Sequence, residues 1–440
     1  MHVVFRESHG LEETETPTDL GQSPADLVVL SFSDSDLGAF AAGWHRGGGP
    51  EGRMPTLRLA NLTALKHPLS VDTYVEQTLE GAKGILIRLI GGVPYWAYGL
   101  QQVLSLAQAK GIALAVLPAD GREDTRLDDY STLPVSTLRR LAHLCDTGGE
   151  VAAQAALAQM ALAAGLYAGP VLGAKTLPES GAWWPDRGVI PVETAFSGDA
   201  KRILVTFYRA YLTSADTAPV AAVIRSLRGR GFEAVGLFAP SLKAPAAAEW
   251  LRDNIVALKP SAIINATSFS GKGASGTSPL DAAGVPVFQM TLATSRRKAW
   301  AEAERGLSPA DLAMHVVLPE VDGRISAGIA SFKEPGKRDP HLEYSRFAHR
   351  AEEERIEAIL DRVTGWLKLQ DKPKADQVPA LVLSTYPGKD WQMAHAVGLD
   401  ALASAEAMLS DLQAEGYDTA PAEPIADKLL DARIAWPLAE

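Results

Sequence analysis

Between residues 26 and 118 short apolar runs alternate with amphipathic stretches, the pattern that parallel strands joined by crossover helices require. Asp26–Phe32 reads as a buried strand. It is followed at Ser33-Asp34-Ser35-Asp36 by small polar side chains able to accept the free amides of a new helix. Leu57–Ala60 and Gly84–Ile90 supply further strands, with a helix opening near Ser70 between them. The Gly91-Gly92-Val93-Pro94 step leads into a helix that Gly111 stops after Lys110, and Ile112–Pro118 closes a first doubly wound unit.

Residues 133–165 read as helical, and a connector containing Gly, Pro and Trp runs from Gly165 to Gly198. Arg202–Tyr208 starts a second αβ unit, with a helix over Pro219–Arg230 and strands at Phe232–Phe238, Ala262–Asn265 and Val285–Gln289. A long charged helix is expected over 343–370, then a strand at Ala380–Thr385 and a helix ending at Tyr417. The expected architecture is α/β and multi-domain, with successive Rossmann-like doubly wound parallel-sheet units and long connecting helices. Its parts are a head domain over 1–130, a helical segment and connector over 131–198, a second α/β domain over 199–342, and a long helix with the start of a third unit over 343–440. One strand and one helix are too little to bury a sheet face. The chain therefore reads as the N-terminal portion of a longer protein, or as one completed by a partner.

Length and composition agree with this organisation. A chain of 440 residues exceeds what one core can organise, and 47 % hydrophobic with 22 % charged residues is the balance of a globular protein. The 53 acidic and 42 basic side chains give a formal charge of -11, the wrong sign for a nucleic-acid partner. A single cysteine, Cys145, excludes an internal disulfide framework and a thiolate metal cluster. The first residues lack the pattern of a signal peptide and no window reaches a membrane-spanning apolar run, so a cytoplasmic protein is expected.

Ligands on open α/β sheets bind beyond the carboxyl ends of the strands, and four loops qualify. Asp34 and Asp36 after the first strand can hold a cation, although helix capping explains them more simply. Tyr95 and Trp96 after Gly91-Gly92 offer flat faces for stacking, or ordinary packing. Asn265-Ala266-Thr267-Ser268-Phe269-Ser270-Gly271-Lys272-Gly273 has glycines and a lysine, but Gly273 stands where a phosphate-binding loop carries Ser or Thr. Asn265 and Ser268 can instead reach a ligand's polar edge. The fourth loop gathers Tyr386, Lys389, Asp390, Trp391 and His395; its lysine can pair with a carboxylate and its imidazole can take a proton or a metal. Glu320 and Asp322 flank a turn and can share a hard cation or simply make the turn. His315, alternating with apolar neighbours in Ala313–Val317, reads as a core or sheet-face histidine. No HExxH, CxxC or GxSxG signature occurs.

Several blocks carry more than their physics. Leu20–Asp26, Leu30–Leu37, Leu65–Asp72, Phe238–Lys243, Asn265–Phe269, Leu307–Met314 and Leu318–Arg324 closely resemble the start of the CobN subunits of aerobic cobaltochelatases, and the later blocks also resemble the H subunits of magnesium chelatases. The resemblance runs in order along the whole chain. It implies a large tetrapyrrole-binding subunit whose AAA+ partners, of the CobS and CobT type, use ATP and Mg2+. In the cobalt branch, Co2+ enters hydrogenobyrinic acid a,c-diamide on the way to cobalamin; in the magnesium branch the substrate is protoporphyrin IX. The blocks at 31–36 and 67–72 favour the cobalt branch. Resemblance and loop positions together place Asn265, Ser268 and Phe269 at the substrate or a domain interface, with Glu320 and Asp322 nearby. Tyr386, Lys389, Asp390 and His395 are the acid–base or metal-handling candidates. A different class of role, a non-catalytic head that docks partners or gates substrate entry, fits the same features.

Overall fold

The computed structural model describes residues 17–119, 124–173, 176–273, 276–383, 398–419 and 424–425. It divides into one compact unit ending at Asp361 and a second starting at Arg362.

The first unit contains two sheets. In the first, β1 (Leu27–Ser31), β2 (Leu57–Asn61), β3 (Gly84–Leu89) and β4 (Ala113–Pro118) run parallel in the order β2-β1-β3-β4. Alternate residues of β1 enter different cores. Leu27 and Val29 pack with α1 (Asp34–Arg46), α4 (Val135–Thr147) and α5 (Gly149–Ala163), whereas Val28 and Leu30 pack with α2 (Pro68–Gln77) and α3 (Ala97–Lys110). Burial on both faces is why these strands are almost continuously apolar. The Ser33 hydroxyl accepts the Asp36 amide at 3.2 Å to start α1, and Gly111 at φ +69° ends α3. A Cβ on Gly43 would lie 2.6 Å from the Gln154 backbone nitrogen, so glycine is what lets α1 and α5 touch.

The second sheet has the order β12-β11-β10-β9-β7-β8-β5-β6. Its centre is parallel: β7 (Arg202–Tyr208), β8 (Glu233–Ala239), β9 (Ala262–Asn265), β10 (Val287–Ala293) and β11 (Ile325–Pro335). Antiparallel strands flank it, with β5 (Gly181–Trp184) and β6 (Gly188–Ile190) on one edge and β12 (Phe347–Ala351) on the other. Its helices are α6 (Arg209–Thr213), α7 (Ala218–Gly229), α8 (Pro245–Leu258), α9 (Arg297–Glu302), α10 (Pro309–Leu312) and α11 (Leu318–Val321). Both sheets belong to the α/β class, as expected.

Several local expectations change. The stretch read as a connector contributes the β5–β6 hairpin, because Trp183 can be buried against β8. The charged helix α12 (Glu353–Asp371) starts later than residue 343, since 347–351 pair with β11. His315 lies not in an alternating strand but in a π-helical turn, Ala313–Val317, between α10 and α11. Ala380–Leu383 is not a strand; among the described residues it has no neighbouring strand to pair with, and Val382 is exposed. In the second unit α13 (Ala401–Ala414) is capped by Asp400, whose carboxylate accepts the Ala403 amide at 3.0 Å.

Residues 338–346 tie the two sheets together. Arg58, on β2, donates from Nη1 to the His341 carbonyl at 2.8 Å and from Nη2 to Glu343 at 2.9 Å. Its Nε and Nη2 also hold the carbonyl and hydroxyl of Ser23. No helix among the described residues is long and apolar enough to cross a membrane.

Candidate functional site

From β7 the chain passes to β8 on one side and to β9 on the other. The crevice beyond the carboxyl ends of β7 and β9 is thus a topological switch point, where sheets of this class bind ligands. The polar side chains there are buried and mutually satisfied. The Thr206 hydroxyl donates to Asn265 Oδ1 at 2.8 Å, Asn265 Nδ2 donates to Gln289 Oε1 at 2.8 Å, and Gln289 Nε2 donates to the Thr267 carbonyl at 2.7 Å. Asn265 Oδ1 also accepts the amide and the hydroxyl of Thr267, an Asx-type turn that swings the chain off the sheet. With 2 % of its surface exposed, Asn265 shapes the loop from beneath.

The loop then presents Phe269. The Tyr208 hydroxyl donates to the Ser268 carbonyl at 2.6 Å, and the Phe269 amide donates to the Met314 carbonyl at 2.7 Å. Between these anchors Phe269 is held at φ +66°, a conformation costing a non-glycine residue about 1–2 kcal/mol. The residue remains 37 % exposed. The adjoining segment 309–323 exposes Leu312, Val317, Leu318 and Val321. Asp322 fastens that segment to the loop, accepting the Ser270 hydroxyl at 2.9 Å and the Gly271 amide at 2.6 Å. The structure therefore brings Asn265, Ser268, Phe269 and Asp322 together; Glu320 lies on the same turn, exposed.

Farther along the same sheet edge lies a second polar group. Asp311, fully buried, accepts the amides and hydroxyls of Thr294 and Ser295 at 2.8–3.2 Å. His315 Nε2 lies 3.9 Å from Asp311. The Nδ1 of His349 meets the Ser331 hydroxyl at 3.0 Å, and the His349 amide donates to Asp216 at 3.0 Å. Burial, with the charges of Lys333 and His315, lowers the His349 pKa to about 3, so its ring is neutral at physiological pH. Burial pushes the Asp216 carboxyl upward, and it likewise raises the phenols of Tyr208 and Tyr211. Thr206, Tyr208, Gln289, Lys333 and His349 were not singled out in the sequence. The strand-end rule applied to every strand finds Tyr208, at the end of β7.

In the other loops, Trp96 is packed inside, its indole donating to the Leu65 carbonyl at 2.7 Å, while Tyr95 is exposed. Tyr386, Lys389, Asp390 and His395 lie outside the described residues. Among the described residues no three His, Cys, Asp or Glu side chains are grouped to hold a metal ion. The geometry supplies an aromatic and aliphatic face beside a buried row of hydrogen-bonding and titratable groups, suited to a broad, largely apolar ligand with polar edges.

Residues 140–435 match the CobN/magnesium chelatase family. The aerobic cobaltochelatase subunit CobN of Sinorhizobium sp is 34 % identical over 452 residues, covering 99 % of this chain and 35 % of the relative. The CobN subunit of Pseudomonas aeruginosa is 33 % identical over 426 residues, covering 95 % of this chain and 33 % of the relative. The catalytic subunit of cobaltochelatase from Mycobacterium tuberculosis superposes with a TM-score of 0.66 at 25 % identity, over 91 % of this chain and 32 % of that one. The chain spans about a third of the length of these relatives. With a family match across most of its residues and the same fold in a solved structure, the chain belongs to the CobN/magnesium chelatase family.

Proposed function

We propose that this chain is the N-terminal, tetrapyrrole-engaging part of a cobaltochelatase large subunit, which inserts Co2+ into hydrogenobyrinic acid a,c-diamide in aerobic cobalamin biosynthesis. The observation that carries the reading is the likeness along nearly the whole chain to subunits named for cobalt chelation. The strained, half-exposed Phe269 beside the apolar segment 309–323 supports it, since backbone strain at a strand-end loop is characteristic of ligand-binding positions. Insertion demands that the ring be distorted, that two pyrrolic protons leave and that the cation shed water. In this proposal Phe269 and Glu320 meet the macrocycle and Asn265, Ser268 and Asp322 set the loop. Tyr386, Lys389, Asp390 and His395 handle protons or metal. ATP, with Mg2+, is used by AAA+ partners of the CobS and CobT type.

Titration of the purified chain with hydrogenobyrinic acid a,c-diamide, following tryptophan quenching and the corrin bands, tests the binding claim. Saturable binding not matched by protoporphyrin IX is the expected result. Binding by the full-length subunit but not by this chain assigns the region to partner docking or gating, and preference for protoporphyrin IX assigns it to the magnesium branch. For the proton-handling loop, Lys389→Ala and His395→Ala in the full-length subunit should each depress chelation; unchanged rates remove those residues from the mechanism.

A further inference from the structure

The head has a switch point of its own. From β1 the chain passes to β2 on one side and to β3 on the other, and beyond the carboxyl ends of β1 and β3 lies a cavity of about 460 Å³. Phe40, Leu144 and Ala153 line its apolar side; Arg88, Asp36 and Asp146 supply its charges.

Arg88, in β3, is only 3 % exposed, and its two carboxylate partners are held very differently. Its Nε donates to Asp36 Oδ2 at 3.1 Å, and the same oxygen takes the Ser31 hydroxyl at 3.0 Å. Asp36 stands in the first turn of α1, where a helix favours negative charge. Asp146 stands in the last turn of α4, where a helix disfavours it, and its side chain is 47 % exposed. One of its oxygens alone, Oδ1, serves both Nη1 and Nη2 at 3.2 Å. A well-formed guanidinium–carboxylate fork uses two oxygens at roughly 2.7–2.9 Å. Asp146 is therefore a loosely seated partner on the face of Arg88 that borders the cavity.

We propose that the head binds a small organic monocarboxylate in this cavity, the ligand's carboxylate taking both terminal nitrogens of Arg88 in place of Asp146 and its apolar body lying against Phe40 and Leu144. Asp146 then turns to solvent, so the charge balance around the buried guanidinium is preserved. A cationic ligand has no such route: Asp36 is committed to Ser31 and Arg88, and drawing Asp146 away would leave Arg88 half neutralised. The site lies on a different sheet from the Phe269 loop and does not rest on the chelatase reading.

Butyrate, with butylamine as control, tests this on the whole chain by saturation-transfer NMR. Saturable binding of butyrate and none of butylamine is expected. Asp146→Asn, a change at a half-exposed position, removes the competing carboxylate and should tighten butyrate about tenfold, the scale of one charged hydrogen bond. Arg88→Lys keeps the charge but loses the fork and should weaken butyrate; if that variant fails to fold, Asp146→Asn still decides. Absence of butyrate saturation in both the native chain and Asp146→Asn, weaker butyrate binding by Asp146→Asn, or binding of butylamine in its stead would each overturn the proposal.

Discussion

Asn265 Nδ2 donates to Gln289 Oε1 at 2.8 Å, a buried bond between the side chains of two neighbouring parallel strands. Asn265 is also the acceptor for Thr206 and Thr267. Asn265→Ala would strip a partner from four buried groups and should cost about 2–4 kcal/mol, read as a lowered urea midpoint. An unchanged midpoint with lost corrin binding would instead make Asn265 a direct ligand contact.

Phe269→Gly relaxes a positive φ but gives up the side chain. Relief of strain and the entropy of glycine nearly cancel, so stability should fall only by the lost burial of a part-exposed ring, about 1–2 kcal/mol. Corrin binding should fall about tenfold or more, the loss expected for an aromatic contact. Intact binding would take the ring out of the proposed site.

The His349 ring is neutral in the folded chain, with its pKa lowered to about 3 by burial and by the nearby positive charges. In the unfolded chain it takes a proton near the ordinary value of 6.5. Its contribution is therefore complete above about pH 6.5 and is lost as pH falls toward 3; between pH 7.5 and 5 the loss is about 2 kcal/mol. Asp216, whose carboxyl is raised by burial, acts with the opposite sign at lower pH. Urea titrations at the two pH values should show His349→Gln to be flatter than the native chain by about that amount. Equal slopes would mean that the ring protonates in place.

Arg58 is almost wholly buried, and Arg58→Ala removes the nearer of the two cations beside Glu343, leaving it only Arg338 at 3.9 Å; a loss of about 3 kcal/mol is expected. Partial burial opposes ionisation of Glu343, but hydrogen bonds from Ser23 and the Arg58 charge prevail and hold its pKa below the usual carboxylate value. That contribution is present above the unfolded pKa and disappears as pH falls through the lower folded one. Thermal melts from pH 6 to 3 should show a shallower acid decline in Arg58→Ala than in the native chain.

The strands legible in the sequence were those buried on both faces. β1, β3, β7 and β9 carry unbroken apolar runs because helices cover them above and below. β11, with Gly328, Lys333 and Glu334 in its span, and the edge strand β12 have no such run. Pairing with a distant neighbour defines them, and no local window shows it. Asn265 was visible because it follows an apolar run at a strand end. Its partners Thr206 and Gln289 lie inside such runs, where a polar residue signals a buried bond only once the neighbouring strand is known. The π-helical turn around His315 was hidden for a related reason: Ala313–Val317 is apolar enough to suit a strand, and only the buried carboxylate of Asp311 one turn earlier shows the helical register.

The Arg58–Glu343 pair also sets a schedule for synthesis. The two residues are 285 positions apart, and a ribosome adding roughly 5–20 residues per second needs about 15–60 s to bridge that gap. Throughout that interval β2 carries a guanidinium whose counter-charge has not yet been made. The first sheet is made before the second but cannot close this pair until residue 343 has been added, so it waits with one charge unmatched while β5 to β11 of the second sheet are synthesised.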